Sequence, residues 1–168
     1  MSPRSTKLID VNLEDARSRT FILFLQTADA IRKYADAAFY VNGLSTMKVM
    51  VLQILAFNGG TMTPTEISEW TLREPNGITT LIRRLERDGL VGTQRGTTDK
   101  RFLYVTLTDK GRKMLSQVAP AARQIVKQAM ALLTDDQATA LEESLRVLRQ
   151  SAHDGLKQRA VRSHRRPE

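Results

Sequence analysis

The sequence predicts a mainly α fold with a small β-wing, and three stretches carry that expectation. Residues 61–108 read as two short helices followed by a hairpin, while apolar residues recur at helical spacing before this stretch, from Leu13 to Tyr40, and after it, from Thr108 to about Ala152. The chain then divides into a flexible arm over 1–12, a long helix and a scaffold helix over 13–57, the helix-helix-wing unit over 58–108, two C-terminal helices over 109–154 and a basic tail over 155–168.

Residues 1–12 show no periodicity, as expected of a chain terminus. In the first long helix Phe21, Phe24, Leu25, Ala28, Ile31, Ala35, Ala38 and Phe39 form one apolar face, ended by Asn42-Gly43. Ser45 can cap the next helix, whose apolar side is Met47, Met50, Val51, Ile54 and Leu55 before Asn58-Gly59-Gly60 stops it. Thr63-Pro64-Thr65-Glu66 is a start signal: a hydroxyl at the N-cap, proline at the first helical position and glutamate three residues after the cap. Ile67 and Trp70 would face a core from that short helix.

A second short helix is expected from Pro75 or Asn76 to about Asp88. Ile78, Leu81, Ile82 and Leu85 repeat on one side and Gly89 supplies the stop. Its opposite face carries Asn76, Thr80, Arg83 and Arg87, flanked by Thr79 and Arg84. Amides and hydroxyls can read base edges and arginines can reach phosphates, so the stripe suits a DNA major groove; a solvated helix face is the plainer alternative. Two strands follow, Leu90-Val91 onward and Phe102 to Leu107, enclosing a polar tip with Arg95, Lys100 and Arg101 that could enter a minor groove, with Asp99 orienting a neighbouring arginine. Past the wing, Leu115, Val118, Ala122, Ile125, Ala129 and Leu132 mark a helix bent at Pro120. Thr134-Asp135-Asp136-Gln137 caps a last helix with Leu141, Leu145, Leu148 and Ala152 in a row.

The helix exit LIRRLERDGLV, the wing ending Asp99-Lys100-Arg101 and the run Leu107-Thr108-Asp109-Lys110-Gly111 resemble, in order and spacing, the winged-helix core of the MarR family of bacterial transcriptional regulators. Arg73-Glu74-Pro75-Asn76-Gly77 stands where many members have a serine- and arginine-rich turn, so base preference does not carry over. The resemblance implies a winged helix-turn-helix that binds double-stranded DNA and regulates transcription, with repression by occupying a promoter as the expectation and activation as the alternative. The candidate DNA contacts are Thr63 and Thr65 on the first short helix; Asn76, Gly77, Thr79, Thr80, Arg83 and Arg84 on the second; and Arg95, Asp99, Lys100 and Arg101 on the wing.

The terminal helices want burial that so small a reading unit does not offer. A homodimer packed through them, on a pseudo-palindromic site, is the expectation; a folded-back monomeric bundle is the alternative. The family likeness also implies a small aromatic or phenolic effector between the dimer helices and the reading unit, with Phe39, Tyr40, Met47, Met50 and Trp70 in the right segments; core packing accounts for the same five residues.

The balance of charge agrees with a polyanionic partner: 26 basic residues against 18 acidic give +8. Five cations against one glutamate in 155–168 supply half of it. The absence of cysteine excludes disulfides, thiolate metal sites and thiol-based oxidant sensing. The two histidines, His153 near a helix end and His164 in the basic tail, belong to no plausible catalytic constellation, and Gly59-Gly60 and Gly89 sit at helix ends, so neither an enzyme nor a cofactor or metal is expected. No window has 18 apolar residues, which predicts a soluble cytoplasmic chain with no membrane partner. A winged-helix RNA-binding or protein-interaction module stays open beside the DNA reading, although a single-strand binder would interleave aromatics with its cations, and here only Phe102 and Tyr104 come near.

Overall fold

A computed structural model describes residues 15–96 and 100–163. In order they form α1 (Ala16–Tyr40), α2 (Thr46–Phe57), β1 (Thr61–Met62), α3 (Pro64–Thr71), α4 (Pro75–Arg87), β2 (Val91–Arg95), β3 (Leu103–Leu107), α5 (Asp109–Met130) and α6 (Asp135–Ser163). They divide after Ile125 into two compact units. The arm over 1–12 and Asp99 lie outside the described residues.

The core of the first unit is built on α2. Val51, Leu52 and Leu55 are fully buried there and pack with Ile67 of α3, Ile78, Ile82 and Leu85 of α4, Val91, Val105 and Leu107 of the sheet, and Val118 and Ile125 of α5. Each such side chain is worth about 1.5–3 kcal/mol when fully removed from water. Within α2 the buried set is Val49, Val51, Leu52 and Leu55, whereas Met50, expected on that face, is 38% exposed. Phe39 and Ala35 are the buried residues of α1; Phe21, Phe24, Leu25 and Ile31 of the same stripe are exposed.

The wing has three strands where two were expected. Thr61 and Met62 pair antiparallel with Thr106 and Val105, giving the order β1-β3-β2. Two residues just before a helix cap are too few to show a period of two, so β1 left no mark in the pattern. Trp70 also departs from expectation: it is 54% exposed and meets Phe57 edge-on, ring centroids 6.1 Å apart. A helix advances about 100° per residue. The inward arc of α3 is centred on Ile67, Ser68 and Thr71, which swings Trp70 outside it.

The helix ends behave as their sequences direct. Ser45 caps α2, Thr63 and Glu66 form a reciprocal capping box on α3, and Thr134 with Gln137 does the same before α6. α5 continues through Pro120, and α6 carries on past Gly155 to Ser163.

A second cap on α2 comes from another helix. Asp36 of α1 accepts the Thr46 amide at 2.7 Å, and that bond, with the Thr46 hydroxyl and the Arg32 guanidinium, holds its carboxyl below the usual carboxylate range. Since the folded-state value is the depressed one, this contribution is complete above about pH 4 and disappears as the pH falls through the lower folded value. Asp36→Ala is therefore expected to cost about 1 kcal/mol at neutral pH, a difference that shrinks steadily as the pH falls below about 4. Urea melts of the two proteins across that range would check it, and a constant difference would refute the assignment.

Candidate nucleic-acid interface

The polar bonds that fix α4 lie at its two ends and its apolar side chains face the core, leaving its outer face unencumbered. At the N-terminal end the chain turns through Leu72, a leucine with φ +51°, in the left-handed region that costs a side-chain-bearing residue roughly 1–2 kcal/mol. The turn is held by the buried Ser68, whose hydroxyl donates to the Arg73 carbonyl, and by the Arg73 amide donating to the Ser68 carbonyl at 3.1 Å. Sequence reasoning missed both residues, because a left-handed leucine and a bond across five positions carry no local signal.

At the C-terminal end Asp88 caps α4 and accepts Lys48 Nζ of α2 at 2.7 Å; that bond leads the causes that hold its carboxyl below the ordinary range. Lys110 Nζ donates to the Asp88 carbonyl at 2.7 Å, and Gly89 follows with φ +72°. The Thr93 hydroxyl of β2 donates to Glu86, so the wing is tied to the same end of the helix.

Between these anchors Ile78, Ile82 and Leu85 point inward, while Asn76, Gly77, Thr79, Thr80, Arg83 and Arg84 are all exposed on the other side. The structure thus gathers the six expected contacts of α4 on one helix. Two of them are altered chemically: the Thr79 hydroxyl donates to the Pro75 carbonyl at 2.9 Å and that of Thr80 to the Asn76 carbonyl at 3.1 Å. Their protons are spent on the backbone, and what each presents outward is a methyl and a hydrogen-bond acceptor. Glu74 at the N-cap makes no side-chain cap bond.

On the wing, Arg95 Nη1 donates to the Lys100 carbonyl at 3.0 Å and the Gly96 amide to the Phe102 carbonyl at 2.9 Å, closing the hairpin across its tip. Arg95 is therefore partly a loop staple, while Lys100 and Arg101 stand exposed beside it. Thr65 is exposed at the start of α3; the Thr63 hydroxyl is occupied by the capping box, donating to Glu66 Oε2 at 2.9 Å and accepting its amide.

The residues singled out for an effector are dispersed. Phe39 is in the core, Tyr40 is 80% exposed, Met50 is exposed, and Trp70 leans on Phe57. Met47 lines a groove of about 370 Å³ beside α4, with Ser45, Arg73, Ile78, Leu81 and Arg84 among its walls. Among the described residues no group of three metal-ligating side chains occurs, and no helix is long and apolar enough to cross a membrane.

The model of the MarR family matches residues 42–101, from the approach to α2 through the wing. The HTH-type transcriptional repressor MdtR of Bacillus subtilis is 25% identical over 122 residues, 73% of this chain and 78% of that protein. Residues 42–101 are a MarR family segment. Two solved MarR-like structures share the fold of the chain. A MarR family transcriptional regulator of Streptomyces coelicolor in complex with DNA superposes with a TM-score of 0.76 at 23% identity, covering 80% of this chain and 86% of that one. The organohalide-sensing transcriptional regulator RdhR in its 2,4-dichlorophenol-bound form gives 0.76 at 22% identity, covering 90% and 89%. As a MarR family winged helix the chain is a DNA-binding transcriptional regulator.

Proposed function

We propose that the chain binds a pseudo-palindromic promoter site as a homodimer and represses transcription there, and that a small aromatic or phenolic effector releases it. The observation that carries this reading is the exposed face of α4, with Asn76, Thr79 and Thr80 on its first turns, Arg83 and Arg84 behind them, and every structural anchor of the helix placed elsewhere. In a helix-turn-helix the start of the second helix meets base edges, and cations further along and on the wing meet phosphates or the adjacent minor groove. The relative solved with DNA supports this use of the fold. The exposed apolar residues of α1 and α6, among them Phe21, Leu25, Leu141, Leu145 and Leu148, support a second copy, which would place two α4 helices about one DNA turn apart.

The effector reading is supported by the dichlorophenol-bound relative and by the groove beside α4, which is lined by the apolar Met47, Ile78 and Leu81 together with the cations Arg73 and Arg84. A ligand there would touch the helix that reads DNA, so its binding and the operator's would be linked.

The test is retention of fragmented genomic DNA at about physiological salt, where non-specific affinity is suppressed, followed by sequencing. Recovery of a few fragments sharing an inverted repeat is expected. Arg101→Ala should weaken every duplex about tenfold and lower the slope of log affinity against log salt by about 1. Uniform retention of all fragments, or of none, would defeat the proposal and favour a non-specific nucleic-acid or protein-interaction module. A promoter fusion that rises when the protein is supplied would make it an activator.

A further inference from the structure

We infer that the first two turns of α4 select A·T base pairs, with an adenine under Asn76 and A·T pairs under Thr79 and Thr80 in each half-site. This rests on α4 being the reading helix and adds what it reads. Residues 75–81, Pro-Asn-Gly-Ile-Thr-Thr-Leu, contain no cation, so the arginine fork that pairs with guanine O6 and N7 is missing from the turns that lie deepest in a groove. Arg83 and Arg84 come a turn later.

What the two turns offer instead is set by hydrogen bonds inside the helix. Both threonine hydroxyls donate backward, to Pro75 and to Asn76, so toward DNA each oxygen only accepts and each methyl stands beside it. Guanine shows two acceptors in the major groove and would oppose an acceptor-only hydroxyl. Cytosine shows a donor but no methyl. An A·T pair shows the adenine N6 donor and the thymine C5 methyl together, which matches the acceptor and methyl of a back-bonded threonine.

Asn76 makes the complementary choice. Its side chain is exposed and has no hydrogen-bond partner among the described residues, and an asparagine amide pairs in two places with adenine N6 and N7. Gly77 beside it has nothing within 4 Å of the place a Cβ would occupy, so the backbone can come close to the bases at that point.

The experiment selects duplexes from a randomised library with the full chain at about physiological salt, then replaces thymine by uracil in the recovered site. Expected is an inverted repeat with adjacent A·T pairs in each half. Asn76→Ala should abolish a preference of about fivefold to a hundredfold for adenine at one mirrored position. Uracil in place of thymine, which deletes the methyl, should weaken the wild type by about fourfold per methyl. The double variant Thr79→Ser and Thr80→Ser keeps the back-bonded hydroxyls and lacks the methyls, so it should be indifferent to the exchange. An inverted repeat with G·C pairs at these positions, or a wild type indifferent to uracil, overturns the inference alone. No repeat at all overturns the DNA reading and the inference with it.

Discussion

Gly111→Ala is expected to lose about 3 kcal/mol of stability, near the top of the usual range for overpacking, and to lower the melting temperature by about 6–12 °C in a chain of this size. A Cβ at residue 111 would stand 2.2 Å from the Leu90 carbonyl oxygen and 2.7 Å from Leu107 Cδ1. The first of these is backbone at the start of β2, which cannot swing aside as a side chain can. The approach is this close because α5 is stitched to the α4–β2 junction. The Thr108 amide donates to the Leu90 carbonyl at 3.2 Å, its hydroxyl donates to the Gly89 carbonyl at 2.8 Å, and the same hydroxyl accepts the Gly111 amide at 3.1 Å. Moving α5 outward to admit a methyl would therefore break the bonds that seat the wing. Gly77→Ala is the control, since nothing lies within 4 Å and alanine is the better helix former by about 1 kcal/mol, so that variant should melt at or above the wild type. Thermal melts followed by circular dichroism decide the matter, and a Gly111→Ala protein melting with the wild type would remove the glycine's structural role.

This junction also gives the physical content of Leu107-Thr108-Asp109-Lys110-Gly111, which the sequence offered only as a likeness. What was legible beforehand was local. The capping boxes at Thr63 and Thr134, Ser45 as a cap and Gly89 as a stop each depend on residues within four positions, and all stand where expected. The apolar row of α4 was legible for the same reason, and with it the opposite face that forms the candidate site. What escaped depends on distance along the chain or on very short elements. Lys48 and Asp88 are 40 residues apart, the Asp36 cap on α2 joins two helices, and β1 is two residues long. Trp70 was misplaced because two apolar residues three apart do not say which way an eight-residue helix turns its arc. The backward bonds of Thr79 and Thr80 lay within reach of the sequence, since threonine inside a helix commonly bonds the carbonyl four residues before it. Recognising them changes what the site can read from a donor to an acceptor with a methyl.

The largest expected effect on DNA binding comes from residues outside the winged unit. Leu141, Leu145 and Leu148 follow one another on α6 at helical spacing, and in the single chain they remain 41%, 36% and 46% exposed. Under the homodimer proposal a second copy covers them. Burying what is left exposed of six leucines across a two-fold axis contributes roughly 5 kcal/mol, enough to decide association at micromolar concentration. Replacing all three by glutamine keeps a good helix former at each position and removes the apolar face. The variant should sediment as a monomer where the wild type sediments as a dimer. It should bind an isolated half-site as the wild type does, because α3, α4 and the wing belong to the other compact unit. On the full inverted repeat its affinity should fall by about 10²- to 10⁴-fold, because the second α4 no longer arrives tethered to the first. Its salt dependence should fall to that of the half-site, since half of the phosphate contacts are gone. A variant that stays dimeric would move the interface away from α6. A wild type that sediments as a monomer yet binds the inverted repeat tightly would place the cooperativity in the DNA-bound state, where the duplex itself brings the two copies together.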